Sequence, residues 1–545
     1  MNFTTLDYSI FILYILGIVG LGLYVSREKK GHTKNSNDYF LAGNKLTWWA
    51  IGASLIAANI SAEQIIGMSG SGFAGGLAIA SYEWMAALTL IIVGKFFLPI
   101  FIEKKIYTIP EYIEQRYNTT LKTILAIFWI FLFVFVNLTT VMFLGAKALD
   151  TIMGNGDGTL LVPAMIGLAL VAAAYSLYGG LSAVAWTDVI QVILLVLGGI
   201  ITTIIALDAV TPEGGVLAGL SHIYNTAGDK FHMILTKDNP EFSNLPGIAV
   251  LIGGMWIANL YYWGFNQYII QRTLAAKSLQ EAQRGIVFAA FLKLIIPLIV
   301  VIPGIVAFVM FSQPEGTAII DGAREAFIKA DGAVNYDKAY PWLISTFIPT
   351  GLKGVVVAAL TAAIISSLAS MLNSTATIFT MDIYKPYIDK NSSEKKLVNV
   401  GRITATVALV IALIIAPLLK SLPQVFQYIQ EYTGLVSPGI LAVAMLGLFW
   451  KKVTTRGAIW GAILSIPVAL VLKLPMMELP FMDQMMYTFA ITIVIIGMIS
   501  LTANDNDDDP NGFTLTAKLF RTGRVFNIAS YVVCLILAVL YAALW

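Results

Sequence analysis

The sequence predicts an all-α, polytopic membrane protein with about fourteen spans. Three observations carry this. First, 58% of the 545 residues are hydrophobic and only 12% are charged, against about 25% charged in soluble chains; mean hydropathy is +0.79. Second, the apolar residues gather into runs of bilayer length, about 20 residues each. Third, Lys and Arg alternate between the loops. The rest of the composition is exclusionary. A net charge of +2 gives no pull toward nucleic acid, the single Cys534 rules out a disulfide framework, and His32, His222 and His232 leave little for zinc.

The apolar runs fall at 8–26, 46–70, 77–102, 122–147, 159–178, 183–208, 246–271, 285–311, 352–382, 400–419, 424–450, 457–472, 482–502 and 525–545, numbered here as spans 1 to 14. The first follows Asp7 without a basic segment and reads as a retained span, not a cleaved signal. With the N-terminus outside, 23 of the 34 Lys and Arg fall in inner loops, among them Arg27, Lys104, Arg116, Lys122, Arg272, Lys396 and Arg456, and nine fall outside. This bias predicts that both termini face outward. The chain reads as one transmembrane unit, 1–545, and no nucleophile–base pair supports an enzyme.

Ionisable groups inside a bilayer cost at least a few kcal/mol and mark working sites. Here they are Glu63, Glu83, Lys95, Asp188, Lys293 and Glu431. Lys95 reads as snorkelling toward Lys104 and Lys105. Asp188 is either solvated at the inner end of span 6 or lines an ion exit. Span 2 is the least membrane-like, with Asn59, Ser61, Glu63 and Gln64 near its middle. Helical spacing places Ala57, Ser61, Gln64 and Met68 on one face. Span 7 holds Gly253-Gly254, then Asn259, Tyr262, Trp263 and Asn266 on another face. Polar interruptions in corresponding halves suggest broken helices of a secondary transporter, with spans 2–6 (46–208) and 7–11 (246–450) as the halves. The alternative is polar helix packing.

In span 9, Ser366 and Ser367 either cap their own helix or complete an all-oxygen shell with carbonyls freed at a break; without a carboxylate, such a shell suits a weakly held monovalent cation. Gln64, Glu83, Asn259, Lys293 and Gln430, with Tyr82, Tyr262, Trp263 and Phe426, make a set suited to a polyol: amides and charges for hydroxyls, flat rings for C–H faces. Glu83 and Lys293 would balance each other's charge, or form a purely structural pair. Two motifs are set aside. Gly70–Gly75 spells GxGxxG but opens no βαβ unit, and the acidic run 505–509 lacks the Gly and Glu of a calcium loop.

The segments 54–64, 178–191 (YGGLSAVAWTDVIQ), 259–277, 366–373 and 426–439 resemble the sodium:solute symporter family in its sugar-cotransporting branch, and the resemblance runs over nearly the whole chain. It implies a leucine-transporter-like core of two inverted five-helix repeats, 46–208 and 246–450, with 8–26 and 457–545 peripheral. It implies sodium as coupling ion and no other cofactor, held by the carbonyls of Ala57, Ile60 and Ala363 and the hydroxyls of Ser366 and Ser367. Sugar contacts would be Gln64, Glu83, Asn259, Lys293 and Gln430, with Tyr262 as an inner-gate aromatic and Asn59 its partner. Met68, Tyr82 and Phe426 would form an outer gate, and Asp188 a sodium exit. Ala86 stands where a galactose-transporting member of the family carries a serine; a missing hydroxyl changes which substrate is selected and counts against galactose in particular. The implied activity is sodium-coupled import of a neutral hexose (galactose, glucose or mannose) by alternating access. It would take place in a bacterial plasma membrane, by a monomer or weak homo-oligomer in contact with lipid. A symporter for another small solute, and a sodium-permeable sugar sensor or channel, are the competing expectations.

Overall fold

The computed structural model describes residues 3–545 except 26, 28–35, 107, 155, 314–324, 329–331, 422–424 and 504–506. The inner-loop cations Lys29, Lys30 and Lys34, the outer-loop Arg324 and Lys329, and Asp505 and Asn506 of the acidic run therefore lie outside the described residues. Among the described residues no β-strand occurs, only two isolated bridges, Leu46 with Ala276 and Ile328 with Val334. Helices dominate because a backbone in hydrocarbon must satisfy its own hydrogen bonds.

Every expected span coincides with helix, and among the described residues eleven continuous helical stretches are by themselves long and apolar enough to cross a membrane. The difference from fourteen expected spans reflects breaks and fusions of helices. Span 2 is broken at its centre, and its second half runs on into span 3 as one stretch, Glu63–Glu103. Span 5 is a shorter apolar helix, and span 7 is cut into the pieces Ala249–Ile252, Gly254–Phe265 and Gln267–Leu274.

The long helix Leu279–Ser312 (span 8) packs against Trp48–Asn59, Met68–Gly75, Ser81–Ile92 and Leu181–Ala209. Span 9, Leu352–Ile378, is the most enclosed and packs on Leu181–Ala209, Leu161–Gly179 and the N-terminal helix Thr5–Val25. Asp7, itself fully buried, reaches across to accept from the backbone N–H of Gly351 (2.7 Å) and Gly354 (2.9 Å). It thus caps the N-terminus of span 9 from another helix. Helices Val425–Phe449, Thr455–Leu472 and Phe481–Ala503 form a flanking group. Apolar side chains such as Leu13, Leu16, Leu170, Ile403 and Ile414 face outward, while buried charges such as Asp7, Arg116 and Asp188 lie inside. That is the reverse of a soluble surface, and the chain is an integral membrane protein.

Two inner-loop cations are not solvated. Arg116 is fully buried and donates to the carbonyls of Gly447 (3.0 Å) and Val453 (2.9 Å) where Val425–Phe449 ends, and to Asp509 (3.3 Å). Arg272, also fully buried, belongs to the interior cluster described below. Counting positive charges along the sequence does not say which of them reach solvent.

Candidate functional site

Span 2 breaks where its polar residues crowd. The helix Trp48–Asn59 ends as Ile60 turns extended (φ −80°, ψ 96°), and a wider π-helical turn begins at Glu63. The break exposes backbone donors, and the chain satisfies them locally. Gln64 Oε1 accepts from Ser61 N (3.2 Å) and Ser61 Oγ (3.1 Å), while Ser61 Oγ accepts from Glu63 N (3.1 Å). The expected continuous face of Ala57, Ser61, Gln64 and Met68 is therefore divided: Ser61 sits in the break, and only Gln64 and Met68 reach the cavity below. Span 7 likewise breaks at Gly253 and Asn266, the first and last residues of its Gly- and polar-interrupted stretch.

Between these broken helices lies a cavity of about 60 Å³. All five expected sugar-contacting residues line it: Gln64, Glu83, Asn259, Lys293 and Gln430. So do Tyr262, Asn59 and Ala86, and the expected gate residues Met68, Tyr82 and Phe426. At its floor, Lys293 Nζ donates to Glu83 Oε2 and to Asn59 Oδ1 and lies 5.0 Å from the Trp263 ring centroid. Asn59 Nδ2 donates to the Tyr262 hydroxyl (3.0 Å), which also accepts from the Tyr268 hydroxyl (2.7 Å). Asn259 is turned inward on its own helix, donating to Met255 O (3.2 Å). Tyr82 and Phe426 meet edge to face at 5.5 Å over the opposite side. Ligand pockets usually measure about 300–1,000 Å³; this cavity is contracted around its ion pair.

The serines of span 9 point in different directions. Ser367 Oγ donates to the carbonyl of Ala58 (3.1 Å), one residue from Ala57 and two before the break. Ser366 Oγ donates to Asp188 Oδ1. The other oxygen of Asp188 accepts from Ser54 Oγ (2.5 Å) and faces Arg272 Nη2 at 3.5 Å. Arg272 in turn donates to Ser54 O (3.0 Å), Ser54 Oγ (2.7 Å) and Ser370 Oγ. Asp188, Arg272, Ser366 and Ser367 are all fully buried, as are Ala57, Ile60 and Ala363. The solvated alternative for Asp188 is thereby corrected: its charge is held by Arg272 and two hydroxyls, inside the protein. Oxygen donors without a second carboxylate surround the end of the first half of span 2, a donor set that fits a monovalent hard cation.

Other expectations need adjustment. Glu431 is not a buried intramembrane charge. It lies half-exposed in an open recess of about 710 Å³, 3.3 Å from Lys473, and that recess shares Gly434 and Met485 with the central cavity. Glu63 is buried, and its Oε1 has no hydrogen-bond partner, but it does not line the cavity. Lys95 is half-buried, with Nζ 5.4 Å from the Phe96 ring, in keeping with a snorkelling stem. Sequence reasoning missed Thr433 and Ser437, whose hydroxyls line the cavity without partners. The signal was present, since 426, 430, 433 and 437 share one helical face. Met485, from span 13, carries no such signal.

The profile of the sodium:solute symporter family matches residues 39–465. A sodium/glucose cotransporter of Vibrio parahaemolyticus is 62% identical over 540 residues, 99% of this chain and 98% of the relative. A bovine (Bos taurus) sodium/myo-inositol cotransporter 2 is 34% identical over 483 residues, 85% of this chain and 69% of that one. Among solved structures, a Na+-coupled sialic acid symporter in a substrate-bound outward-open state aligns with TM-score 0.77 at 23% identity, covering 92% of this chain and 98% of its own; that likeness shows the fold.

Proposed function

The chain belongs to the sodium:solute symporter family, and from that premise we propose that it imports a neutral hexose together with sodium. One observation carries the substrate class: a single cavity, at the breaks of spans 2 and 7, is lined by Gln64, Glu83, Asn259, Lys293, Gln430 and Tyr262. This set gives and takes hydrogen bonds and carries no net charge in its Glu83–Lys293 pair, which suits a neutral polyol better than an anion. The free hydroxyls of Thr433 and Ser437 add to it. The 62% identical relative, named a sodium/glucose cotransporter, supports the same class.

In this proposal the coupling sodium sits among the carbonyls of Ala57, Ile60 and Ala363 and the hydroxyls of Ser366 and Ser367. Bound there, it holds the end of the first half of span 2 against span 9 and favours the outward-open arrangement. A hexose then enters beneath Met68, Tyr82 and Phe426, and the halves 46–208 and 246–450 rock around it. Sodium leaves inward past Asp188, and Tyr262 must yield before the sugar follows. A potential of 100 mV supplies about 2.3 kcal/mol per charge, and a tenfold sodium gradient about 1.4 kcal/mol more. One sodium per sugar thus sustains a sugar gradient of about 10^2.7. The setting we propose is a bacterial plasma membrane with both termini outside and a monomer or weak homo-oligomer as the unit.

Radiolabelled galactose, glucose and mannose uptake into proteoliposomes, with and without an inward sodium gradient, tests this reading. At least one hexose should accumulate only with sodium. Accumulation driven equally by a pH gradient alone, or a sodium current without sugar accumulation, would overturn it.

A further inference from the structure

The open recess of about 710 Å³ and the central cavity of about 60 Å³ are lined by two faces of one helix, Val425–Phe449. Gln430, Thr433 and Ser437 line the cavity, Glu431 and Leu435 line the recess, and Gly434 lines both. The helix is a partition, and at Gly434 the partition has no side chain. Met485, from the neighbouring helix Phe481–Ala503, takes that place and also borders both spaces. A Cβ at residue 434 would stand 3.1 Å from Met485 Sδ and 3.2 Å from its Cγ. The thioether therefore rests on the glycine, and Met485 is only 4% exposed.

The two spaces differ in what they hold. Ligand pockets usually measure about 300–1,000 Å³; the recess falls in that range and the contracted cavity does not. Lys237, Asn239, Glu431, Lys473 and Gln484 place charged and amide groups around the recess, a lining that suits a hydroxyl-rich solute. Methionine is unbranched, with three rotatable bonds, so its side chain swings aside without moving a helix. We propose that Met485 is a gating residue on the path into the central cavity. A hexose collects in the recess and passes inward when Met485 leaves Gly434. This inference rests on the sodium–hexose reading above, and it adds to Met68, Tyr82 and Phe426 a gate residue from outside the halves 46–208 and 246–450.

The test uses the full-length protein in proteoliposomes, with M485C in a C534S background so that the chain carries one thiol. Methyl methanethiosulfonate converts that thiol to a side chain close to methionine in length and shape, and sodium-driven hexose uptake should then match C534S alone. Benzyl methanethiosulfonate leaves a ring against Gly434 and should cut uptake about tenfold, as a blocked gate limits turnover; dithiothreitol should restore it. Saturating hexose, by filling the recess, should slow the benzyl reaction. A thiol that never reacts, a benzyl adduct that leaves uptake unchanged, or a reaction rate indifferent to hexose would each overturn the proposal. A parent chain, Cys534 intact, without sodium-driven uptake of any hexose would instead overturn the reading on which it rests. Should M485C not elute as a single species, or C534S not transport, M485I in the otherwise unchanged chain decides. Isoleucine is stiff at χ1, so a folded M485I should show saturated uptake about fivefold slower, and a parent-like rate would overturn the proposal.

Discussion

The Glu83–Lys293 pair gives the sharpest test of the central site. Both side chains are almost entirely enclosed, at 4% and 0% exposure, and Lys293 has a further partner in Asn59. Replacing Lys293 by Met leaves the Glu83 carboxylate without a cation and takes the ammonium donor from Asn59 Oδ1. Removing one partner of a buried pair costs about 3–5 kcal/mol, most of it the stranded charge, or roughly a 10²- to 10⁴-fold shift in the folding equilibrium. Glu83→Gln should cost a similar amount by stranding the ammonium. The double variant Glu83→Gln/Lys293→Met strands no charge. It should cost only the lost hydrogen bonds, about 1 kcal/mol each, so it should be more stable than either single variant. Unfolding of the purified variants in mixed micelles, followed by SDS titration, measures all three. Sodium-driven hexose uptake by the double variant should nevertheless stay lost, because the polar floor is gone. Single variants within 1 kcal/mol of the parent, or a double variant whose cost is the sum of the two, would refute the reasoning.

Ser367→Ala removes one oxygen from the proposed sodium shell. Hydrogen bonds to charged groups, taken as a guide to the worth of that ligand, are worth about 1.5–3 kcal/mol, so half-saturating sodium for uptake should rise about 10- to 100-fold; an unchanged sodium dependence would remove Ser367 from the shell. Gln64→Ala deletes the acceptor of the Ser61 amide, and should lower both stability, by about 1 kcal/mol, and apparent hexose affinity; loss of only one of the two would separate capping from binding. Gly67→Ala places a Cβ 2.7 Å from Phe426 Cβ, whereas Gly17→Ala meets nothing within 4 Å. The first should cost about 1–3 kcal/mol in the same SDS titration and the second should not. Asp7→Ala uncaps span 9, at about 0.5–2 kcal/mol, and should speed amide exchange at Gly351 and Gly354; unaltered exchange there would show that the cap is redundant.

Hydropathy and charge alternation made the helices legible, because a bilayer imposes length and sign on each span. The break of span 2 was legible too: Asn59, Ser61, Glu63 and Gln64 cannot all face lipid. What stayed hidden was the partner of each polar group. Arg272 looked like a solvated inner-loop cation, and nothing adjacent in sequence announces that Asp188, 84 residues earlier, holds it. Glu431 looked intramembrane because apolar residues flank it, yet the open recess reaches it and supplies Lys473. In span 7 the pattern marked 253–266 without saying where in it the helix yields; it does so at Gly253 and Asn266, where backbone freedom and a short polar side chain make yielding cheap. The resemblance alone gave the gate aromatics and the polar floor their expected roles; composition left them as a polyol-like set with a structural alternative.

The geometry at the break offers a physical account of how sodium and sugar are coupled. Residues 58 and 59 are adjacent on the last turn of one helix. The carbonyl of Ala58 is held by Ser367, and the side chain of Asn59 is held by Lys293 and Tyr262. A rigid last turn cannot move one without the other. In the proposed cycle, sodium drawing the carbonyls toward Ser366 and Ser367 also sets the position of Asn59, and with it the ammonium that faces the sugar and the tyrosine that closes below it. Ile60, extended and free of helical continuation, lets this turn shift without dragging Gln64 and the outer half of span 2. Coupling then needs no long relay. It needs a stiff turn with an ion on one side and a hydroxyl-binding floor on the other, and a hinge immediately after it.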